Sequence, residues 1–318
     1  DSTLYCVDDL FSRLPAPLAK TAAALGMPAI AITDYSNMFA LVKFQKAATE
    51  AGIKPIYGAD VWIEAAQPDE PPSQMVLLAK NLQGYRNLTV LVSKGYLFGQ
   101  HRNKVIISRD WLKQKSAGLI CLSGGKLGEI GRALLGGKVD RAEALTREMM
   151  AIFPDCFYLE LQRTQRQDDE TYLHLAVDLA AKVDCPVVAT NDVRFLKRSD
   201  FEAHEVRVCI SEGWTLEDPS RVQRNSEEQY LKPAAEMVEL FADIPEAIEN
   251  TVEIAKRCSL TLVLGKNYLP EFPTPLVNGK QLTPDEYFRY ASHEGLKERM
   301  AHLYPDAAAR EAQMPQYV

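Results

Sequence analysis

The chain has 318 residues, 47% of them hydrophobic, and a formal net charge of −7. That is enough apolar material for one large core or two smaller ones, while the acidic balance argues against a free-standing nucleic-acid-binding domain, which carries a basic surplus or stripe. No apolar stretch approaches the roughly 20 residues needed to span a bilayer and no signal peptide is visible, so a cytoplasmic protein is expected.

Six cysteines are scattered through the chain: Cys6, Cys121, Cys156, Cys185, Cys209 and Cys258. None forms a C-x-x-C pair, so zinc-ribbon spacing is absent. Most sit in apolar runs and read as buried thiols in a reducing compartment. The chain starts at Asp1, not Met, and stops at Val318 without a tail-like segment. Both ends suggest a piece of something longer.

Short apolar runs alternate with amphipathic helical patterns. Pro28–Thr33 reads as a buried strand after a helix that ends at Gly26. Leu41, Phe44, Ala48 and Ala51 recur at helical spacing, with Gly52 as C-cap. Ile53–Ile63 is strand-like, with Asp60 and Trp62 on one face and Ala59, Val61 and Ile63 on the other. Gln67–Ser73 is a proline- and acid-rich loop, Met75–Ala79 a strand, and Tyr85, Leu88, Leu91 and Val92 mark a helix. Leu119–Leu122 is a strand followed by Gly124-Gly125; Val139–Ile152 is helical; Phe157–Leu161 is a strand. Leu173, Ala176, Ala180 and Val183 line a helix, and Pro186–Thr190 is a strand ending in Asn191-Asp192. This alternation predicts parallel strands with helical crossovers.

From about Ser226 the pattern turns helical. Asp243-Ile-Pro-Glu246 reads as a helix start with Asp243 as N-cap. Thr283-Pro-Asp-Glu286 is a second capping signature, opening a helix toward Leu303. The proline-rich stretch Pro270–Pro275 reads as a linker and domain boundary.

In α/β folds the site lies at the C-terminal ends of the strands. Asp34 and Asp192, which follow two of the strands, therefore either share one mouth or simply cap their turns. Together with Asp60 and His204 they are the candidates for chemistry, because converging carboxylates can hold the divalent metals that activate water. The five histidines are isolated, with no His-x-His pair, and His204 shares a helix face with Phe201 and Val208, where a partly buried structural histidine competes with a ligand. Asp168-Asp169-Glu170 reads as a helix start favoured by the dipole. Gly124-Gly125-Lys126 lacks P-loop spacing. Arg194, Lys197 and Arg198 form a short basic cluster, read as a solvated helix face.

Several segments resemble the PHP domain at the N-terminus of bacterial replicative polymerases of the DNA polymerase III alpha type. They are Leu25–Asn37, Gly52–Asp60, Ala189–Phe195, Ala203–Ile210, Leu240–Cys258 and Tyr268–Pro273. The resemblance covers most of the chain after about residue 17; the first 16 residues are atypical. It implies an α/β fold, a distorted (β/α)7 PHP-type barrel over residues 1–270, then a helical extension, residues 271–318, that begins the polymerase region. It also implies a degenerate site. Active members use an early His-x-His motif, which is missing here. Tyr35 stands where they have histidine, and Asp60 where they have glutamate. Gln74 and Arg194 fall at histidine positions, and Gly125 at a cysteine position. Among the matched positions only Asp60, conservatively changed, and Asp192 keep ligand-capable groups; Asp34 and His204 complete the degenerate site. No metal or catalytic residue is therefore expected here, and Asp60→Ala and Asp192→Ala should be mild or stabilising, because two unpaired carboxylates close together repel.

The resemblance further implies a non-catalytic scaffold in a template-directed DNA polymerase, with the proofreading epsilon subunit as its docking partner. In the parent, Mg2+, DNA, the sliding clamp and clamp-loader subunits are expected, with polymerase carboxylates outside this chain; no membrane contact is expected. The alternative is an active metal-dependent PHP phosphoesterase or exonuclease. A histidinol-phosphatase-like enzyme fits less well, because Leu240–Cys258 follows the alpha-subunit pattern.

Overall fold

The computed structural model describes residues 15–67, 70–101, 104–218, 220–267 and 269–317. The atypical start, including Cys6, lies outside them through residue 14. Two compact units divide between Leu262 and Val263. In the first, α1 (Pro15–Ala24), β1 (Ala29–Tyr35), α2 (Leu41–Glu50) and β2 (Lys54–Ile63) form a strand–helix–strand crossover. β1 and β2 run parallel with a seven-residue register from Ala29↔Lys54 to Tyr35↔Asp60. The αβ turn closes at Gly52, whose φ of +73° is left-handed and costs glycine nothing.

β3 (Ser73–Ala79) departs from the predicted grammar. It runs antiparallel to β2, with Trp62↔Gln74 and Asp60↔Val76 in register. The cause is the connection: a proline-rich loop, not a helix, joins the two strands, and only a helical crossover returns the chain in parallel. α3 (Leu82–Phe98), β4 (Gln100–His101), β5 (Lys104–Ile107) and α4 (Arg109–Lys115) follow. The β4–β5 hairpin and α4 were not legible in the sequence pattern. β6 (Leu119–Leu122) pairs antiparallel with β3. After α5 (Glu129–Leu135) and α6 (Val139–Ile152), β7 (Phe157–Gln162) pairs parallel with β6, and β8 (Val187–Thr190), beyond α7 (Asp169–Val183), pairs parallel with β7. This is an α/β fold of barrel-like topology whose ladder, among the described residues, is not closed between β1 and β8.

α8 (Phe201–Glu212), α9 (Ala234–Leu240) and α10 (Pro245–Arg257) complete the unit. α10 begins with proline in its first turn, as its sequence requires, but Asp243 does not cap it: the N-cap is Ile244. Arg163 draws the Asp243 carboxylate away, with both guanidinium nitrogens bonded to it at 2.6 and 2.8 Å. The far end of α10 is tied to the sheet by Arg257, which donates to the Tyr158 hydroxyl at 2.7 Å and the Asp155 carbonyl at 2.6 Å. Asn250 donates to the Val187 carbonyl of β8 at 2.8 Å.

The second unit holds the short pair β9 (Leu276–Val277) and β10 (Lys280–Gln281), then α11 (Pro284–Leu303) and α12 (Ala307–Gln313). The Thr283–Glu286 capping box is formed as its sequence predicts. The described cysteines are free and buried. No helix among the described residues is long and apolar enough to cross a membrane.

Two glycines give opposite expectations. A Cβ on Gly84, at the start of α3, would meet the Gly118 carbonyl oxygen at 1.9 Å, whereas one on Gly295 in α11 meets nothing within 4 Å. Gly84→Ala should destabilise by about 1–3 kcal/mol through overpacking, while Gly295→Ala should stabilise by about 0.5–1 kcal/mol through helix propensity. Urea unfolding followed by circular dichroism checks both signs.

Candidate functional site

The strand ends converge on one pocket lined by Tyr35, Asp60, Gln74, Gly124, Glu160, Gln162, Asp192 and Arg194, with Met75, Val76 and Leu127 as its apolar wall. The sheet register explains the convergence. Tyr35 and Asp60 are paired neighbours across β1 and β2. Because β3 is reversed, its first residues, including Gln74, stand beside the late residues of β2. Glu160 and Gln162 are successive same-face residues of β7, and Gln162 pairs with Thr190 just before Asp192. The space left at the centre is about 30 Å³, on the scale of one or two waters.

Asp192 sits at the heart of the pocket in a left-handed conformation, φ 44°. Arg166 donates to its Oδ2 at 2.7 Å, Gln229 to the same oxygen at 2.9 Å, and the Arg194 Nη2 lies 2.7 Å from its Oδ1. Burial alone would raise the carboxyl's pKa; Arg194 and Arg166 outweigh it and hold the group below the usual aspartate value. Arg194 also donates to the Tyr35 hydroxyl at 3.0 Å, which accepts a second bond from Gln74 at 3.0 Å. Burial pushes the Tyr35 phenol up to about 12 against the pull of Arg194, so it is protonated at neutral pH.

A second layer lies beneath. Thr190 donates to Glu160 Oε1 at 2.6 Å, and Gln162 donates to the same atom at 3.2 Å. Burial raises the Glu160 carboxyl to about 6, helped by the charge of Asp192 and opposed by the Thr190 and Gln162 bonds. Gln162 in turn accepts from Arg166 at 2.9 Å. Polar donors thus run without a break from Tyr35 to Glu160.

The pocket therefore gathers five of the sequence candidates: Tyr35, Asp60, Gln74, Asp192 and Arg194. Gly125 lies beside it, where an added Cβ would meet the Gln162 amide at 3.2 Å. Asp34 is turned to a structural task instead, accepting from the Ala40 amide at 3.2 Å. Of the two open readings for Asp34 and Asp192, Asp34 takes the turn-capping one and Asp192 the mouth. His204 is buried against Phe195, ring centroids 5.5 Å apart, outside the pocket lining. Arg194 is no solvated helix residue, and Arg198 is bonded to Glu228. Lys126 and Asp169, two other charges weighed in the sequence, pair with each other at 2.6 Å. Sequence reasoning missed Glu160, Gln162, Arg166 and Gln229. Glu160 carried a signal, a charge inside an otherwise apolar strand; Gln229 carried none, because it reaches Asp192 across 37 residues of chain.

The donor set does not fit the metal cluster that the PHP resemblance brings with it. Both oxygens of Asp192 are engaged by guanidinium or amide groups. Among the described residues no group of three or more His, Cys, Asp or Glu side chains is arranged to hold a metal ion. The expectation that removing Asp192 is harmless is also corrected: its carboxylate is paired, not repelled. Asp192→Ala leaves Arg166 and Arg194 buried without their counter-charge and should cost about 3–5 kcal/mol in chemical denaturation.

The pH dependence has a definite sign. Burial, with Arg194 and Arg207 nearby, depresses His204 from 6.5 to about 4. A depressed histidine contributes stability that is present above the unfolded value and lost as pH falls from 6.5 toward 4. Glu160 acts oppositely: its raised pKa makes the fold gain stability as pH falls from about 6 to 4.5. His204→Gln should therefore shrink the loss of thermal stability on acidification from pH 7 to pH 4.5, measured by melting at half-unit steps; an unchanged loss would show that His204 does not carry it.

A family model described as the PHP domain matches residues 3–164. The chain is 57% identical over 303 residues to the DNA polymerase III subunit alpha of Pseudomonas aeruginosa, covering 95% of the chain and 26% of that protein. It is 49% identical over 313 residues to the same subunit of Vibrio cholerae, covering 98% and 26%. To that of Escherichia coli K12 it is 50% identical over 305 residues, covering 95% and 26%. The chain thus spans about a quarter of the length of these curated relatives. Among solved structures, an amidohydrolase from Chromobacterium violaceum aligns over 60% of this chain and 86% of its own, with 14% identity and a TM-score of 0.39. The chain belongs to the PHP domain family, and its near relatives are DNA polymerase III alpha subunits.

Proposed function

We propose that this chain is the non-catalytic PHP scaffold of a replicative DNA polymerase, and that it docks the proofreading epsilon subunit. The observation that carries the reading is the clamp on Asp192. Two arginines supply, from within the chain, the positive charge that a metal cluster supplies elsewhere in the family. A pocket neutralised in this way keeps its shape without a metal and offers no open coordination position for an activated water.

In this reading template-directed synthesis, with Mg2+ and the polymerase carboxylates, belongs to the rest of the parent protein, as do the contacts to DNA, the sliding clamp and the clamp loader. The likeness to alpha subunits supports that context, and a cytoplasmic location follows from it. A docking tail gives up conformational freedom on binding, so its contact should rest on a few apolar anchors.

Two measurements test this. Elemental analysis of the dialysed chain should find no stoichiometric zinc or manganese; two or three retained metals per chain would favour an active PHP phosphoesterase instead. Titration with a peptide of the epsilon C-terminal tail should show binding that changes little between low and moderate salt. Absence of binding by the folded chain would remove the docking role, and a steep salt dependence would point to charge rather than apolar anchors.

A further inference from the structure

α3 ends in a face that the described residues of its unit leave open. Val90, Lys94, Leu97 and Phe98 recur at helical spacing along it, and Leu97 and Phe98 are 72% and 74% exposed. Beside them α4 presents Trp111, whose ring lies edge-on to Phe98 with centroids 6.4 Å apart. The Lys94 ammonium lies 5.5 Å from the same ring. Lys115 stands one turn further along α4 from Trp111. Phe98 and Trp111 thus meet edge to face, with exposed Leu97 on the same stripe of α3, Lys94 beside the Trp111 ring and Lys115 one turn along α4. Scattered exposed leucines are ordinary, but large apolar side chains grouped on one face mark an interaction site.

The charge around this face says what fits. The chain as a whole is acidic, at −7, yet Lys94 and Lys115 flank this face, and Glu148 is bonded to Arg109 at 2.7 Å and lies 3.3 Å from Lys113. Asp110 is the one acid of α4. Nucleic acid is the poorer match: aliphatic Leu97 offers no stacking surface, and two lysines are too few to track a phosphate backbone.

We propose that the α3–α4 face docks a short acidic amphipathic segment of a partner protein, its apolar side chains on Leu97, Phe98 and Trp111 and its carboxylates on Lys94 and Lys115. This does not rest on the epsilon reading, since the partner is defined by the charge it must carry.

The test uses the full chain and two labelled helical peptides followed by fluorescence anisotropy. Both carry leucine and phenylalanine along one face; one has glutamates flanking that face and the other has lysines. The acidic peptide should bind at least about tenfold more tightly than the basic one, and Leu97→Ser with Phe98→Ser should weaken it by about tenfold with unchanged circular dichroism. Lys94→Glu with Lys115→Glu should invert the preference. Equal binding of the two peptides, or indifference to either pair of substitutions, overturns the proposal. So does an oligothymidylate that binds and is lost on lysine reversal, which would assign the face to nucleic acid. Concentration-dependent dimerisation abolished by Phe98→Ser would likewise overturn it in favour of a second copy. Epsilon-tail binding that survives Phe98→Ser would leave the epsilon reading standing.

Discussion

The carboxylate of Asp192 lies between two guanidinium groups, and much of the first unit is arranged around that fact. Arg166 reaches it from the loop after β7, and Arg194 from the segment after β8. The same Arg194 bonds Tyr35 at the end of β1, which is bonded to Gln74 of β3. One negative charge thus ties together elements from both ends of the described ladder. A buried ion pair is seldom a net gain over apolar packing, because desolvation consumes most of the attraction. Its value is in what it forbids. Once both arginines are buried, the only arrangement without a large electrostatic cost keeps Asp192 ionised and in place.

The same logic explains why the pocket tolerates three acids. Asp60, Glu160 and Asp192 all line it, and like charges at such a separation raise one another's pKa unless a cation intervenes. Here arginine supplies the cation, with a planar fork that meets a carboxylate in a fixed direction. A guanidinium also brings its own stem and fills space; Tyr35 and Gln74 line the same pocket, and the residual space is small. Glu160 is raised chiefly by burial and then by the charge of Asp192, and is held by bonds from Thr190 and Gln162.

The elements were legible in the sequence where local physics decides them. The helix Val139–Ile152 and the strand Leu119–Leu122 have the bounds their patterns predict, because apolar periodicity alone sets them. The Thr283 capping box forms because its partners are three residues apart. What failed depended on distant residues. Asp243 has the sequence of an N-cap, but Arg163, 80 residues earlier, holds its carboxylate. β3 is a strand as expected, yet its direction follows from the loop before it and from β6. The site shows the same division. Its members taken from family motifs are largely gathered in the pocket, while Arg166 and Gln229, which both donate to the Asp192 carboxylate, lie in stretches without any local mark. A sequence names residues that could bear charge; it does not say which charges meet.

These two features together constrain where any partner can attach. A segment entering the pocket would have to displace Arg166 or Arg194 from Asp192, and separating a buried pair costs about 3–5 kcal/mol, a large share of what a short tail can gain. Many of the pocket's donors and acceptors already bond one another, so an incoming polar group must compete with them. The outer helices are different. Their inward faces are spent on the core, but their outward faces carry exposed apolar groups such as Leu97 and Phe98, whose burial needs no internal bond to break. The mouth of the strand ends is thus filled by its own side chains, while the outward faces of the surrounding helices carry the exposed apolar groups.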